Sequence, residues 1–401
     1  MRVGVGYSEN PDSLAAGLEV AQEALSSAQQ SGPCDLVLLF ATARHNATAL
    51  RKAVRSAVGE APPIYGGGSV GAITNRRYGY AGDQVCMAAF WFEGSTWDAI
   101  VQPGLEKDEQ AAGRSLGQSM AKKGATPETP VILLYDAIGM SAGEPRMVMA
   151  THLLKGIEEG LGFLPNINGA GLQGDHQCTQ APVWTGKGQE QHCALAMTFG
   201  GQVRVDSVIM HGCRPATGYY TVTKADSQTI LEINGQPALS FIENLLGPSV
   251  PRASYPFFLL FGVSSGDKWE DFDETNYASR LCFGLDEKRN GIVMFEPDMV
   301  AGTEFQIMYR SLDLDYMEPR IENLFARLEG REPVFALYID CAGRAAGYGG
   351  IDLEDAVVVQ KVVNNRAPLL GIYTGVEIAS VKNQPRGLDW TGVLCLFSVP
   401  K

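Results

Sequence analysis

Apolar runs and amphipathic stretches alternate along the 401-residue chain in an order that recurs three times. In the first copy, a helical pattern at about Pro11–Gln30 precedes an apolar strand at Asp35–Ala43 and a second helical pattern at Ala47–Val58. A glycine-rich strand at Ile64–Thr74 and an apolar strand at Gln84–Phe92 complete the copy. The order in each copy is therefore helix, strand, helix, strand, strand, which predicts a sheet covered by helices.

The second and third copies place their first strands at Val131–Asp136 and Val334–Asp340. Between these copies, residues 207–310 carry short strand-like runs separated by turns, which favours an antiparallel sheet. We predict an α/β to α+β fold of three αβαββ units with mixed sheets and an inserted antiparallel β-rich region. The pattern also predicts two domains, which are residues 1–206 with two units, and residues 207–401 with the β-rich region at 207–310 and the third unit at 311–401.

Charge and composition exclude several classes of partner. The chain has 32 Lys and Arg residues against 45 Asp and Glu residues, a net charge of −13, and its basic residues are scattered. This argues against binding to nucleic acid or to anionic membranes. No stretch approaches 18 uninterrupted apolar residues, and the eight cysteines include no C-x-x-C pair. We expect a soluble cytoplasmic protein with reduced thiols.

Candidate ligand-binding residues lie where predicted strands end, because ligands of α/β sheets collect there. Arg44 and Arg344 follow the first strands of the first and third copies. Either suits an anionic ligand through bidentate hydrogen bonds, and the alternative is an ion pair with an internal carboxylate. Gly67 and Ser69 lie in a glycine-rich segment that lacks the Gly-Lys-Ser/Thr ending of a nucleotide loop. Such a segment allows a ligand to approach the backbone, or allows close packing inside the sheet.

Histidine and cysteine suggest two other chemistries. Three of the five histidines lie within two residues of a cysteine, but H-x-C is a weak metal-binding spacing. A single histidine suffices as a heme ligand, and His211 or His45 is the candidate. Cys213 or Cys341 is a candidate nucleophile, although the sequence ties no histidine base to either one.

Eight short segments of the chain carry a family resemblance. Four lie in the first half, and they are Asp35–Thr42, Ile64–Gly71, Tyr80–Val85 and Gly169–Asp175. Four lie further along, and they are Gly212–Pro215, Asn234–Ala238, Cys341–Arg344 and Gly371–Ile378. The first four resemble the N-terminal FIST domain (F-box and intracellular signal transduction), the last four resemble the C-terminal FIST domain, and the resemblance spans about residues 30–399. One departure is Leu388–Thr391, which stands where the family often carries a His-Asn pair before a threonine.

The resemblance implies a sensory module of bacterial signalling that binds small ligands such as amino acids. The matching segments supply further candidate ligand-binding residues, which are Gly171, Asp175, Cys213, Arg214, Cys341, Tyr373 and Glu377. Our leading hypothesis is a non-enzymatic sensor that binds a small polar ligand between its two domains. It would signal to a separate histidine kinase, cyclic-di-GMP enzyme or chemotaxis protein.

Two alternatives stay open at this point. The first is a nitric-oxide-sensing hemoprotein, which some stand-alone members of the family resemble. Such proteins bind heme and modulate a histidine kinase or a cyclic-di-GMP enzyme. The second is an enzyme that depends on a cysteine.

Overall fold

The computed structural model describes residues 1–30, 32–141, 144–180, 182–256, 258–311, 313–350 and 352–401. Asp12 and Asn46 begin the first two helices by accepting backbone N–H groups of the first turn, as N-cap residues do. The elements of the first unit are β1 (Arg2–Ser8), α1 (Ser13–Ser27), β2 (Leu36–Ala41), α2 (Ala47–Val58), β3 (Ile64–Gly68), β4 (Gly71–Thr74), β5 (Tyr78–Tyr80) and β6 (Val85–Trp91).

The second unit has the same order with one added hairpin. Its elements are β7 (Thr96–Pro103), α3 (Glu109–Lys122), β8 (Pro130–Asp136), β9 (Ile138–Ser141), β10 (Glu144–Met147), α4 (Ala150–Leu161), β11 (Asn166–Leu172), β12 (Val183–Gly186), β13 (Gln189–Glu190) and β14 (Cys193–Gly200). Helices α3 and α4 pack so closely at Gly156 that a Cβ atom there would overlap the carbonyl of Gln110.

The third unit begins with β15 (Arg204–Met210), and a β-rich insertion follows. The insertion contains β16 (Cys213–Pro215), β17 (Tyr220–Asp226), β18 (Thr229–Ile233), β19 (Gln236–Pro237), α5 (Ala238–Leu246), β20 (Leu260–Ser264), β21 (Tyr277–Asp286), β22 (Gly291–Met294) and β23 (Glu304–Arg310). Strand β23 pairs with both β17 and β20, so the strands close into a ring in the order β23-β17-β18-β22-β21-β20. We call this ring the inserted barrel. It surrounds a hydrophobic core of its own.

The third unit then continues with the order of the other two. Its elements are α6 (Met317–Ala326), β24 (Arg331–Cys341), α7 (Ala346–Gly349), α8 (Asp355–Val363), β25 (Leu369–Thr374), β26 (Val376–Val381), β27 (Gln384–Leu388) and β28 (Gly392–Pro400). The mixed α/β fold with three related units and an inserted antiparallel region is thereby confirmed. Each unit also has an edge strand before its first helix, which the sequence pattern did not predict.

The three sheets share one strand order. Sheet 1 is β1-β6-β2-β3-β12-β13, sheet 2 is β7-β14-β8-β11-β26-β27, and sheet 3 is β15-β28-β24-β25-β4-β5. The two middle strands of each sheet are parallel. The last two strands of each sheet form a hairpin that comes from a different unit. The three units therefore exchange hairpins in a closed cycle.

This exchange corrects two predicted strands. Ile64–Thr74 is not one strand, because it breaks at Ser69 and its second half joins sheet 3 as β4. Pro368–Ile378 breaks at Gly375 in the same way, and its second half joins sheet 2 as β26. The exchange also joins residues 1–206 to residues 207–401 through shared sheets. The predicted boundary between two domains at 206 and 207 stays a prediction.

The inner faces of the three sheets enclose one hydrophobic core, and Leu38, Leu134 and Leu337 are buried in it from the three parallel pairs. Helices cover the outer faces in pairs, with α1 and α2 on sheet 1, α3 and α4 on sheet 2, and α6 and α8 on sheet 3. Within the described part of the chain, no helix is both long enough and apolar enough to cross a membrane.

Candidate functional site

The carboxyl ends of the three parallel pairs meet at one end of the molecule. The N–H of Val70 donates to the carbonyl of Tyr373 at 2.9 Å, which joins the end of β3 to the end of β25. The N–H of Ala43 donates to the carbonyl of Gly174 at 2.8 Å, which joins the end of β2 to the end of β11. These two bonds join the end of sheet 1 to the ends of sheets 3 and 2, close to where exchanged hairpins leave their sheets. Open α/β sheets bind ligands at the carboxyl ends of their strands.

A cavity of about 310 Å³ opens at this end, above β24 and β25. One wall comes from β10 and the loop after β11, the opposite wall comes from the inserted barrel, and the base comes from the third unit. The lining residues are Met147, Gln173, His176, Cys178, Leu281, Phe283, Phe295, Cys341, Ala342, Gly343, Tyr348, Thr374, Gly375, Asp389 and Trp390. We call this cavity the junction pocket.

The junction pocket has the composition expected of a ligand site. Ligand pockets are mostly apolar with a few convergent polar groups, and their volumes range from about 300 to 1,000 Å³. Grooves of about 320, 620 and 800 Å³ lie elsewhere among the described residues. All three are more open to solvent and include polar residues, such as Lys123 in the first, Asn364 in the second and Arg320 in the third. The junction pocket is therefore the stronger candidate.

Asp389 brings a carboxyl group to the pocket. Its side chain is only 4% exposed, and Oδ2 accepts the N–H of Leu281 at 3.0 Å. Burial raises the pKa of Asp389 to about 7, and the neighbouring guanidinium of Arg280 partly opposes this effect. The group is therefore close to half ionised at neutral pH.

Two further acids lie fully buried near the pocket. Oε2 of Glu377 accepts the N–H of Thr391 at 3.2 Å, while Oε1 has no hydrogen-bond partner among the described residues. Asp340 precedes the pocket residue Cys341, and its two carboxyl oxygens likewise lack a hydrogen bond there. Burial raises the pKa of both groups well above their usual range.

Arg344 is committed to the protein interior. It is 3% exposed and donates to both Asp355 and the hydroxyl of Tyr316. Another of its nitrogens donates to the carbonyls of His211 at 2.7 Å and Trp390 at 3.3 Å. Arg344 therefore connects four segments of the chain. The structure therefore shows the alternative that the sequence left open, in which Arg344 pairs with an internal carboxylate.

Family comparison agrees with this architecture. The FIST N domain matches residues 35–236, and the FIST C domain matches residues 238–380. The chain belongs to the FIST family. Domains of this family are sensory modules of signal transduction that bind small ligands. The FIST N region supplies the wall at Met147 and Gln173–Cys178, and the FIST C region supplies the lining residues from Leu281 to Gly375.

Curated relatives come from mycobacteria. An uncharacterized protein of Mycobacterium bovis is 26% identical over 193 residues, which is 47% of this chain and 50% of the relative. An uncharacterized protein of Mycobacterium tuberculosis is 26% identical over 194 residues, which is 48% of this chain and 50% of the relative. The chain spans about half the length of the curated relatives it matches.

The residues predicted from the FIST-like segments fall into two groups. Cys341 lines the junction pocket, and Arg344, Glu377 and Tyr373 lie in the buried layer near it. The hydroxyl of Tyr373 donates to Glu354 at 3.0 Å. The backbone of Gly171 accepts from the hydroxyl of Thr374, so Gly171 supports the pocket without lining it.

The remaining predicted residues lie elsewhere. Arg44 is exposed, with its guanidinium 4.0 Å from Asp83, and Arg214 is also exposed. Asp175 accepts the N–H groups of Gln177 and Thr179 and so shapes the loop that carries His176. The other members of this group pack inside the fold, and they are Gly67, Ser69 and Cys213.

The two histidines predicted for heme are engaged by the protein. The ring of His211 accepts the N–H of Cys213 at 3.0 Å through Nδ1 and donates to the carbonyl of Glu274 at 3.1 Å through Nε2. The ring of His45 contacts Ser13 and the carbonyl of Asp83, and it lines a cavity of only about 90 Å³. Neither imidazole fits an axial heme ligand in this arrangement. No group of three or more metal-binding side chains occurs among the described residues.

Several lining residues were not predicted. His176 stacks on Tyr348 with ring centroids 3.5 Å apart, and its Nε2 donates to the carbonyl of Ala342. In the sequence, His176 stands out only as one of the three histidines that lie within two residues of a cysteine, which here is Cys178. Asp389 and Trp390 lie in the segment that departs from the family pattern. That departure was the one sequence signal for them.

Proposed function

We propose that this chain is a small-ligand sensor of bacterial signal transduction and that its ligand binds in the junction pocket. The observation that carries the proposal is the position of the pocket between FIST N and FIST C walls, with buried carboxyl groups beside it. A cavity of about 310 Å³ suits a small organic molecule. The proposal includes a cytoplasmic location and a separate signalling partner, such as a histidine kinase, a cyclic-di-GMP enzyme or a chemotaxis protein.

Binding at this position has a route to a signal. The pocket is bounded by the loop after β11, by the inserted barrel and by the base of the third unit, which are three distinct parts of the fold. A ligand that contacts all three favours the arrangement in which they are closest. We propose that a partner protein recognises this arrangement.

The thiol chemistry supports a binding role rather than catalysis. Burial raises the pKa of Cys213 to about 12 and raises that of Cys341 well above its usual value. The thiolate is the nucleophilic form of cysteine, so these two groups are poorly suited to attack a substrate at neutral pH. We therefore propose that the chain is not a cysteine-dependent enzyme.

A compound screen by thermal shift tests the proposal. Met147 lines the pocket from the FIST N side and is partly exposed, so Met147→Trp fills the pocket and Met147→Leu preserves its volume. We expect at least one small compound to raise the Tm of the wild type and of Met147→Leu but not of Met147→Trp. The proposal fails if no compound raises the Tm, or if every active compound acts equally on all three proteins.

A further inference from the structure

We propose that the junction pocket takes a small organic cation, an ammonium group carried on an apolar or aromatic body, with the carboxylate of Asp389 as its counter-charge. This inference rests on the proposed function and assigns the chemical class of the ligand. It replaces the anionic ligand expected from Arg44 and Arg344. Those arginines do not line the pocket.

Aromatic rings form much of the pocket wall. Phe283 and Phe295 meet edge to face with centroids 4.8 Å apart, and Tyr348 stacks on His176. The indole of Trp390 adds a fifth ring, and the guanidinium of Arg310 lies 4.7 Å from its centroid. Ring faces attract cations, and aromatic cages are the usual recognition element for quaternary ammonium groups. Arg310 shows that a ring of this wall already accepts a cation.

The carboxyl group of Asp389 is available to a ligand. Its Oδ2 accepts one backbone N–H, and no hydrogen bond from the described residues reaches Oδ1. The side chain is 4% exposed and lines the pocket. A carboxylate oxygen at the pocket without a hydrogen bond from the described residues can accept a donor or a cation from a ligand.

Arg280 and Arg344, two basic groups near the pocket, are already paired, and Arg310 lies over the ring of Trp390. Arg280 forms a bidentate ion pair with Asp298, and it donates to the carbonyls of Ser279 and Gly387 at 2.9 Å. Arg344 is paired with Asp355. No lysine or arginine lines the pocket among the described residues. A carboxylate ligand would therefore find no lysine or arginine partner among the described lining residues.

The described groups that face Asp389 most closely are one bonded ion pair and two acids. Arg280 and Asp298 form the pair, and Glu296 and Glu377 are the two acids. Burial raises the pKa of both glutamic acids, which favours their uncharged forms. A cation bound beside Asp389 stabilises the ionised form of its carboxyl group. Cation affinity should therefore rise as pH increases through the titration of this group.

Isothermal titration calorimetry with matched probes tests the inference. The cations are benzyltrimethylammonium, which has a fixed charge, and 2-phenylethylammonium. The neutral and anionic counterparts are 2-phenylethanol and 3-phenylpropionate. We expect the two cations to bind the wild-type protein and to bind more tightly than either counterpart.

Three variants locate the contacts. Asp389→Asn keeps the shape and the acceptor for Leu281, and it should weaken benzyltrimethylammonium binding roughly 10- to 100-fold, as expected for loss of a charged contact. Phe283→Leu should weaken it roughly 3- to 10-fold through loss of a cation–π contact. The control Asp271→Asn removes one charge from an exposed loop of the inserted barrel and should leave binding unchanged.

The outcomes separate the ligand class from the sensor proposal. Equal or tighter binding of 2-phenylethanol or 3-phenylpropionate overturns the cation assignment and leaves a small-ligand sensor standing. If neither cation binds but the compound screen has found another pocket ligand, the cation assignment is likewise overturned and the sensor proposal stands. Failure of every compound in both experiments overturns both proposals.

The pH profile gives a second criterion that needs no variant. Wild-type affinity for benzyltrimethylammonium should rise from about pH 6 to about pH 8, because Asp389 ionises in this range. A flat profile overturns the inference. If Asp389→Asn does not fold, this profile and Phe283→Leu decide the question.

Discussion

The buried contacts of Arg344 make a strong prediction about stability. Arg344→Met removes a guanidinium that donates to Asp355, to the hydroxyl of Tyr316 and to the carbonyls of His211 and Trp390. Methionine fills similar space but leaves the carboxylate of Asp355 buried without its partner. Breaking a buried ion pair in this way costs about 3–5 kcal/mol of the free energy of unfolding.

Arg44→Met is the matched control, because Arg44 holds the corresponding position after β2. Its guanidinium is exposed and lies 4.0 Å from Asp83. Exposed ion pairs contribute about 0–1 kcal/mol, so this variant should unfold close to the wild type. Urea denaturation followed by far-ultraviolet circular dichroism compares the three proteins. Similar stabilities for Arg344→Met and Arg44→Met would refute the structural role of Arg344.

A double-mutant cycle then identifies the partner. Asp355→Asn alone should destabilise the protein, because Arg344 would lose the closer of its two acidic partners and keep only Asp340, whose Oδ1 is 3.5 Å from Nε. The combination Arg344→Met with Asp355→Asn should cost less than the sum of the single changes, since no unpaired charge is left behind. Strict additivity would mean that the two side chains do not act as a pair.

Three further predictions follow from burial, packing and protonation. At pH 8, a thiol reagent should label Cys178 first, because it is partly exposed while the other seven cysteines, all within the described residues, are buried; fast labelling that persists in Cys178→Ser but is lost in Cys341→Ser would contradict this. Gly156→Ala should destabilise the protein by about 1–3 kcal/mol, because its methyl group overlaps the carbonyl of Gln110, whereas Gly284→Ala, with open space around it, should be silent in the same denaturation assay. The buried carboxyl of Asp389 keeps its proton up to about pH 7 when folded but ionises near pH 4 when unfolded, so it makes stability fall as pH rises between these values, by up to about 1.4 kcal/mol per pH unit. Asp389→Asn should therefore gain stability relative to wild type from pH 5 to pH 7. If the free energy of unfolding of the two proteins changes with pH in parallel, this prediction is wrong.

The helices and the parallel strands were predictable because their signals are local. Apolar runs such as Leu36–Ala41 and Pro130–Asp136 are buried along their whole length, as expected for strands with two covered faces. The exchanged hairpins were not predictable. The backbone that leaves β3 at Ser69 could continue in the same sheet, and only its pairing with β25, about 300 residues away in the chain, decides that it does not.

The site shows the same limit. Arg44 and Arg344 occupy corresponding positions after β2 and β24, so the sequence pattern predicted the same ligand-binding role for both. Asp355 makes the difference, because α8 places its carboxylate beside Arg344 while Arg44 projects to the surface. The junction pocket is assembled from segments as distant as Met147 and Trp390. Local patterns cannot bring such segments together.

A crystal structure of the protein with a compound from the thermal-shift screen shows whether the junction pocket binds the ligand. We expect electron density for the compound against Asp389, Phe283 and the loop that carries His176, bounded by FIST N and FIST C side chains. Density confined to the groove near Arg76 and Asn364, or to any other surface, with the junction pocket empty, would contradict this expectation.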